Sequence, residues 1–184
     1  MTSPSAGKGG DVRSRVAAAA EAAAAALASR SLQAARPPKT STEFEASWRS
    51  LKGDLTAQAS YLSLLQPESL PHVFKSSLTP GVLAGILRTL LTTLVHAAGG
   101  DTQGQGLDAQ ALSSLAPAHA LALLAGLGSV PRIEMAAMCI PGKERSEFTR
   151  LWGSTVALPS AAASLGVDSQ ALAAARAVQA KLKL

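Results

Sequence analysis

Apolar side chains recur along this chain at intervals of three and four residues, and no stretch alternates convincingly with period two. The pattern predicts helices. After a Ser/Gly/Pro-rich start at residues 1–11, expected to lack order, residues 12–35 are strong helix formers whose apolar face is mostly alanine, with bulk only at Val16, Leu27 and Leu32. Pro37-Pro38 ends that helix. Thr42-x-x-Glu45 reads as a capping box, in which two side chains satisfy each other's orphan amides. It opens a helix with Phe44, Trp48, Leu51 and Leu55 on one stripe. Gly53 is a candidate break, and Asp54 a candidate cap for a second helix bearing Leu55, Tyr61, Leu62 and Leu65.

Pro67 and Pro71 bracket a short segment with Leu70, Val73, Phe74 and Leu78. Thr79-Pro80 starts a long amphipathic helix, because a proline at the first helical position lacks an N–H that would be unpaired anyway. Leu83, Ile86, Leu87, Leu90, Leu91 and Leu94 line its apolar face up to Gly99-Gly100. A polar loop at 101–106, short helices at 108–115 and 117–127, and a helix opened by Pro131 with Ile133, Met135, Ala136 and Ile140 follow. Pro141-Gly142 turns the chain into a last core helix, residues 143–152, with Phe148 and Leu151. Residues 156–166 read as a linker, and Asp168-Ser169 caps a terminal helix to about Lys181. The expected fold is all-α: a compact bundle of seven or eight short helices with Ala-rich flanking helices. No fixed-period repeat is present, which excludes a solenoid.

Composition sharpens the boundaries. All six aromatics (Phe44, Trp48, Tyr61, Phe74, Phe148, Trp152) lie within residues 37–152, a segment with nine basic and nine acidic residues. Aromatics bury large areas and mark the core, so 37–152 is the expected domain. Residues 1–36 carry a net +3 and residues 153–184 a net +2, so the overall +5 belongs to the flanks. A basic balance raises nucleic acid as a partner, but the core has no Lys/Arg stripe interleaved with exposed aromatics. No specific nucleic-acid binding is expected; salt-sensitive phosphate contact through the flanks is the remaining option. The apolar share of 47% excludes wholesale disorder. The longest apolar run, residues 22–28, falls well short of the roughly 20 residues that span a bilayer, so no membrane role is expected.

Catalytic raw material is sparse. Gly7-Lys8-Gly9-Gly10 and Gly142-Lys143-Glu144 lack the upstream glycine and the following Ser/Thr of a phosphate loop. His72, His96 and His119 fall in separate helices without metal-ligand spacing, and His96 suits the negative end of its helix. Cys139, the single cysteine, is expected to be a small buried hydrophobe beside Met138 and Ile140. It excludes a disulfide framework. Glu43/Glu45 and Glu144/Glu147 read as first-turn acids at helix N-termini. No catalytic, metal-binding or cofactor-binding residue is assigned, and an enzyme is not expected.

An ordered series of residues then carries a resemblance. Pro38-Lys39-Thr40, Glu43-Phe44-Glu45, Trp48-Arg49 and Leu51-Lys52 are followed by Tyr61-Leu62, Leu65, Pro67, Leu70-Pro71 and Phe74-Lys75-Ser76-Ser77-Leu78. Leu124, Leu127, Val130, Arg132, Glu134-Met135 and Met138 close it. This series resembles the C-terminal domain family of RNA polymerase II-associated protein 3, found also in sperm-associated antigen 1 and coiled-coil domain-containing protein 103. The chain departs from the family pattern at Ile133, where phenylalanine is usual, at Cys139-Ile140, where a Phe-Leu pair is usual, and at residues 99–110, which look like a variable insertion.

The resemblance implies a non-enzymatic helical docking domain, a co-chaperone or scaffold that binds the RuvB-like AAA+ ATPase ring. The family's arginine-x-x-methionine element, here Arg132 and Met135, then contributes the protein-binding surface: a guanidinium clamps a carboxylate while methionine fills an adaptable apolar pocket. The competing assignment puts Met135 in the core and leaves Arg132 as a cap. The alternative function is an axonemal dynein arm preassembly factor that self-associates through its flanking helices, although these lack Leu/Ile heptads. The expected compartment is the cytoplasm, with the nucleus as an alternative. The acid-poor residues 1–36 also have the composition of an organellar presequence.

Overall fold

The computed structural model describes residues 36–75, 77–99, 114–157 and 160–183. The expected disordered start and Ala-rich helix, the loop at 101–106, and the helix at 108–115 up to its last two residues lie outside them. Among the described residues every regular element is helical, as the spacing of apolar positions requires.

Helix α1 (Ser41–Ser50) starts at Thr40, whose hydroxyl accepts the Glu43 N–H at 3.3 Å, while the Glu43 carboxylate accepts the Lys39 N–H at 2.9 Å. The cap therefore sits two residues before the expected Thr42–Glu45 box. Both registers satisfy the local motif; the earlier one sets Ser41, Phe44 and Trp48 on one buried face. Leu51 closes α1, Gly53 turns the chain at φ 92°, and the Asp54 carboxylate accepts the Ala57 N–H at 2.9 Å to cap α2 (Leu55–Ser63). The expected four-residue stripe is thus split across two helices, and Leu51 and Leu55 are only half-buried.

A 3-10 turn (Pro67–Ser69) leads into α3 (Leu70–Val73), and Leu70, Val73 and Phe74 enter the core. Phe44 is the centre of an aromatic cluster: it stacks on Trp48 at 5.2 Å, meets Tyr61 at 5.4 Å and takes the edge of Phe74 at 5.0 Å. Each such pair adds about 0.5–1.5 kcal/mol beyond its buried area.

Helix α4 (Pro80–Ala97) runs through the middle of the bundle, touching α2 and the later helices α5 (Pro117–Leu127), α6 (Ile133–Met138), α7 (Gly142–Gly153) and α8 (Ala161–Leu165). Leu83, Leu87, Leu90, Leu91 and Leu94 are fully enclosed. Helix α4 is long and apolar enough to cross a membrane by length and composition, but 61% of it is buried inside the fold. That is how a central helix meets the same criterion. Its buried Thr89 hydroxyl lies 3.0 Å from Gln58 Oε1, satisfying two groups that would otherwise be costly in the interior.

The C-terminal residues are part of this same body. Helix α9 (Ser169–Leu182) buries Leu172, Ala175, Val178 and Leu182 against α5 and α6. The segment at 156–166, expected as a linker, sends Val156, Ala161 and Leu165 into the core and forms α8. The compact unit runs from Pro37 to Leu184, although composition set residues 153–184 apart. Alanine is the reason both readings arise. It makes a weak hydrophobic stripe in the sequence, yet it lets helix backbones approach closely; at Gly128 an added Cβ would lie 2.7 Å from Val178 Cγ2. The flank's basic residues are also engaged. Arg176 Nε donates to Val156 O at 2.7 Å and Lys181 Nζ to Gly128 O at 2.8 Å, the latter beside the end of α5.

Candidate protein-docking surface

Ile133, Ala136, Ala137 and Ile140 are buried where α6 meets α4 and α9, following the three-and-four rhythm of a helix face. Met135 does not share that face. It is 66% exposed, and Met138, three residues on, is 60% exposed; these are the exposed large hydrophobics among the described residues. Spacing of three puts both thioethers on the same outward face. The competing assignment of Met135 to the core does not hold, because two positions along a helix point to nearly opposite sides and Ile133 takes the inward one.

Cys139 is corrected too. It is exposed at the C-terminal cap of α6, next to Met138, instead of buried. Four residues after Met135 and one after Met138, it falls on the outward side of α6, opposite the face buried through Ile133, Ala136, Ala137 and Ile140.

Arg132 holds the N-terminal end of α6 in the left-handed conformation, φ 60° and ψ 18°. Few non-glycine residues adopt it, and holding it costs of order 1–3 kcal/mol. Pro131 accordingly lies outside the helix it was expected to open. The Arg132 side chain makes no capping hydrogen bond to α6; its carbonyl accepts the N–H groups of Met135 at 3.1 Å and Ala136 at 3.3 Å. The strained turn thus leaves an exposed guanidinium at the start of the helix that presents Met135.

The other end is held by a residue that sequence reasoning did not single out. Arg145, from the first turns of α7, donates through Nη2 to Ala137 O at 2.9 Å and to Met138 O at 3.1 Å. These carbonyls belong to the last turn of α6, which has no N–H donors left within the helix for them. The second methionine was the available signal for this patch: Met135 and Met138 at a spacing of three, bounded by prolines 131 and 141, mark a short exposed helix.

The remaining candidate chemistry is dispersed. Glu144 and Glu147, expected only to complement a helix N-terminus, also reach across to Arg88 of α4 at 3.5 and 3.4 Å, and that guanidinium lies 5.9 Å over the Phe148 ring. His119 Nε2 lies 2.9 Å from Leu65 O, and since a carbonyl can only accept, this nitrogen bears the proton. Among the described residues no three His, Cys, Asp or Glu side chains gather as a metal site would need. Burial raises the Tyr61 pKa; a hydrogen bond with Ser47 opposes that shift and the nearby Glu43 carboxylate adds to it. What α6 offers is an adaptable apolar surface with exposed charges on the same short segment (Arg132 and Glu134), suited to binding a protein.

No curated protein and no solved structure matches the chain. Residues 37–145 match a family model described as the potential Monad-binding region of RPAP3, a span that includes α6 and ends at Arg145.

Proposed function

The chain belongs to the RPAP3 C-terminal domain family, a family of protein-binding domains, and on that premise we propose that it is a co-chaperone or scaffold domain that docks on a RuvB-like AAA+ ATPase ring in the cytoplasm. Docking uses Arg132 and Met135, with Met138 alongside. The observation that carries this reading is the pair of thioethers, 66% and 60% exposed, on a helix whose other face is sealed into the bundle. Leaving two large apolar side chains in water gives up burial energy that docking would recover. Of the three substituted positions, Ile133 and Ile140 are buried and Cys139 is exposed, so among these three Cys139 is the one on the docking face.

The alternative, self-association through both flanking helices in dynein arm preassembly, needs a free apolar face on each, α9 included. Leu172, Ala175, Val178 and Leu182 already spend that face on α5 and α6. Docking is favoured for that reason.

The test is retention of the purified chain by purified RuvB-like ATPases. Wild type is retained at micromolar concentration, while Arg132→Ala and Met135→Ala each weaken retention by about 1–3 kcal/mol, the range of an interface hot spot. No retention of wild type overturns the reading, and unchanged affinity of Arg132→Ala removes that residue from the surface.

A further inference from the structure

A groove of about 870 Å³ opens between the end of α1, the start of α2, the first half of α4 and Glu144 of α7. Its residues are distinct from those of the α6 patch. Trp48 lies along it, 7% exposed, with its indole over Gly85: a Cβ there would fall 2.8 Å from Trp48 Nε1. Only glycine lets the indole settle so close to the α4 backbone. The Nε1–H of this nearly buried ring has no acceptor among the described residues.

Most of the other unspent polar groups along the groove are donors as well, the Glu45 carboxylate being the exception. The first backbone bond of α4 is Leu83 N–H to Thr79 O at 3.0 Å, and Thr79 contributes no side-chain cap. The amides of Gly81 and Val82 precede that bond and have no partner within the helix, and both residues line the groove. Of its charged residues, Arg88 and Glu144 satisfy each other, leaving Glu45 against Arg49 and Lys52, a positive balance. Leu55, Val82 and Ala84 supply apolar wall between these donors.

We infer that this groove is a second binding site, which takes an extended acidic peptide segment of a partner protein. Its carboxylates accept from Trp48 Nε1 and from the α4 amides, while Arg49 and Lys52 hold the flanking negative charge. Helix N-termini favour anions, and charge-assisted hydrogen bonds to carboxylates are the strong ones. A basic segment would meet only Glu45. Residues 1–36 of the chain itself, with a net +3, have the same sign as the groove and are unsuited to fill it.

The full chain, labelled with nitrogen-15, is titrated with a short capped peptide of alternating Glu and Ala while the two tryptophan indole resonances are followed. Trp48→Phe assigns them. The Trp48 resonance moves to saturation; that of Trp152, whose Nε1 is sealed in the core, stays. An Arg49→Glu/Lys52→Glu variant, altered only at exposed positions, binds the peptide roughly tenfold more weakly or worse. That variant keeps its retention by RuvB-like ATPases, so failure at one site is distinguished from failure at the other. A Trp48 resonance that stays fixed overturns the inference. So does equal binding of a Lys-Ala peptide, equal affinity in the charge-reversed variant, or an equal response to inorganic pyrophosphate, which would make the groove a simple anion site.

Discussion

Arg145 Nη2 sits 2.9 Å from the carbonyl oxygen of Ala137, so one guanidinium from α7 closes the exposed end of the helix that presents Met135 and Met138. A six-residue helix is too short to be stable alone, and its shape depends on what holds its termini. Arg145→Ala removes both bonds to the last turn at a cost of about 1–3 kcal/mol, the range for hydrogen bonds from a charged donor. Hydrogen exchange at residues 133–139 should speed up more than elsewhere in the bundle, and retention by RuvB-like ATPases should fall. Uniformly faster exchange would show instead that Arg145 supports the whole fold.

Arg132 combines backbone strain with an exposed charge, and a single substitution separates them. Glycine removes a Cβ penalty of about 1–2 kcal/mol but adds backbone freedom to the unfolded chain worth about 0.5–1 kcal/mol, so Arg132→Gly should raise global stability modestly while weakening docking. Urea unfolding and pull-down, measured on the same preparation, read the two effects. A stability loss would mean that the guanidinium supports the fold.

Tyr61 is the sole tyrosine, so phenolate absorbance reports it directly. Burial raises its pKa above the usual 10.0. The unfolded chain then releases the proton first, so the contribution of this group to stability is complete below pH 10 and declines as pH rises through the folded-state value. The absorbance midpoint should lie above 10 in the folded protein and near 10 in urea. Identical midpoints would contradict the burial.

Truncation after residue 157 removes α8 and α9 and uncovers the surfaces of α5 and α6 that Leu172, Ala175, Val178 and Leu182 cover. Losing four buried side chains of this kind costs several kcal/mol, of the order of a domain's whole stability. The truncated chain should show a strongly lowered melting temperature by circular dichroism, or fail to fold. A melting temperature within a few degrees of the full chain would mean that α9 is a dispensable flank.

The order and class of the helices could be read from local physics alone. Pro80 and Pro117 start helices because their fixed φ and missing N–H suit a first turn, and Asp54 and Asp168 cap because their carboxylates reach orphan amides two or three residues ahead. Leu83 through Leu94 announced the central helix by their spacing. The family, too, was legible, because its residues follow one another in a fixed order.

Which of several locally equivalent options holds was decided only by packing. Thr40–Glu43 and Thr42–Glu45 are the same motif, and burial of Ser41 and Phe44 selects the first. Alanine is apolar enough for either a core or a solvated helix, and it is the approach of α9 to α5 that buries Ala175. Met135 and Ile133 are equally apolar in the sequence. The left-handed turn at Arg132 and the Arg145 clamp orient α6 so that one faces the core and the other water, since a side chain's exposure depends on its neighbours in space.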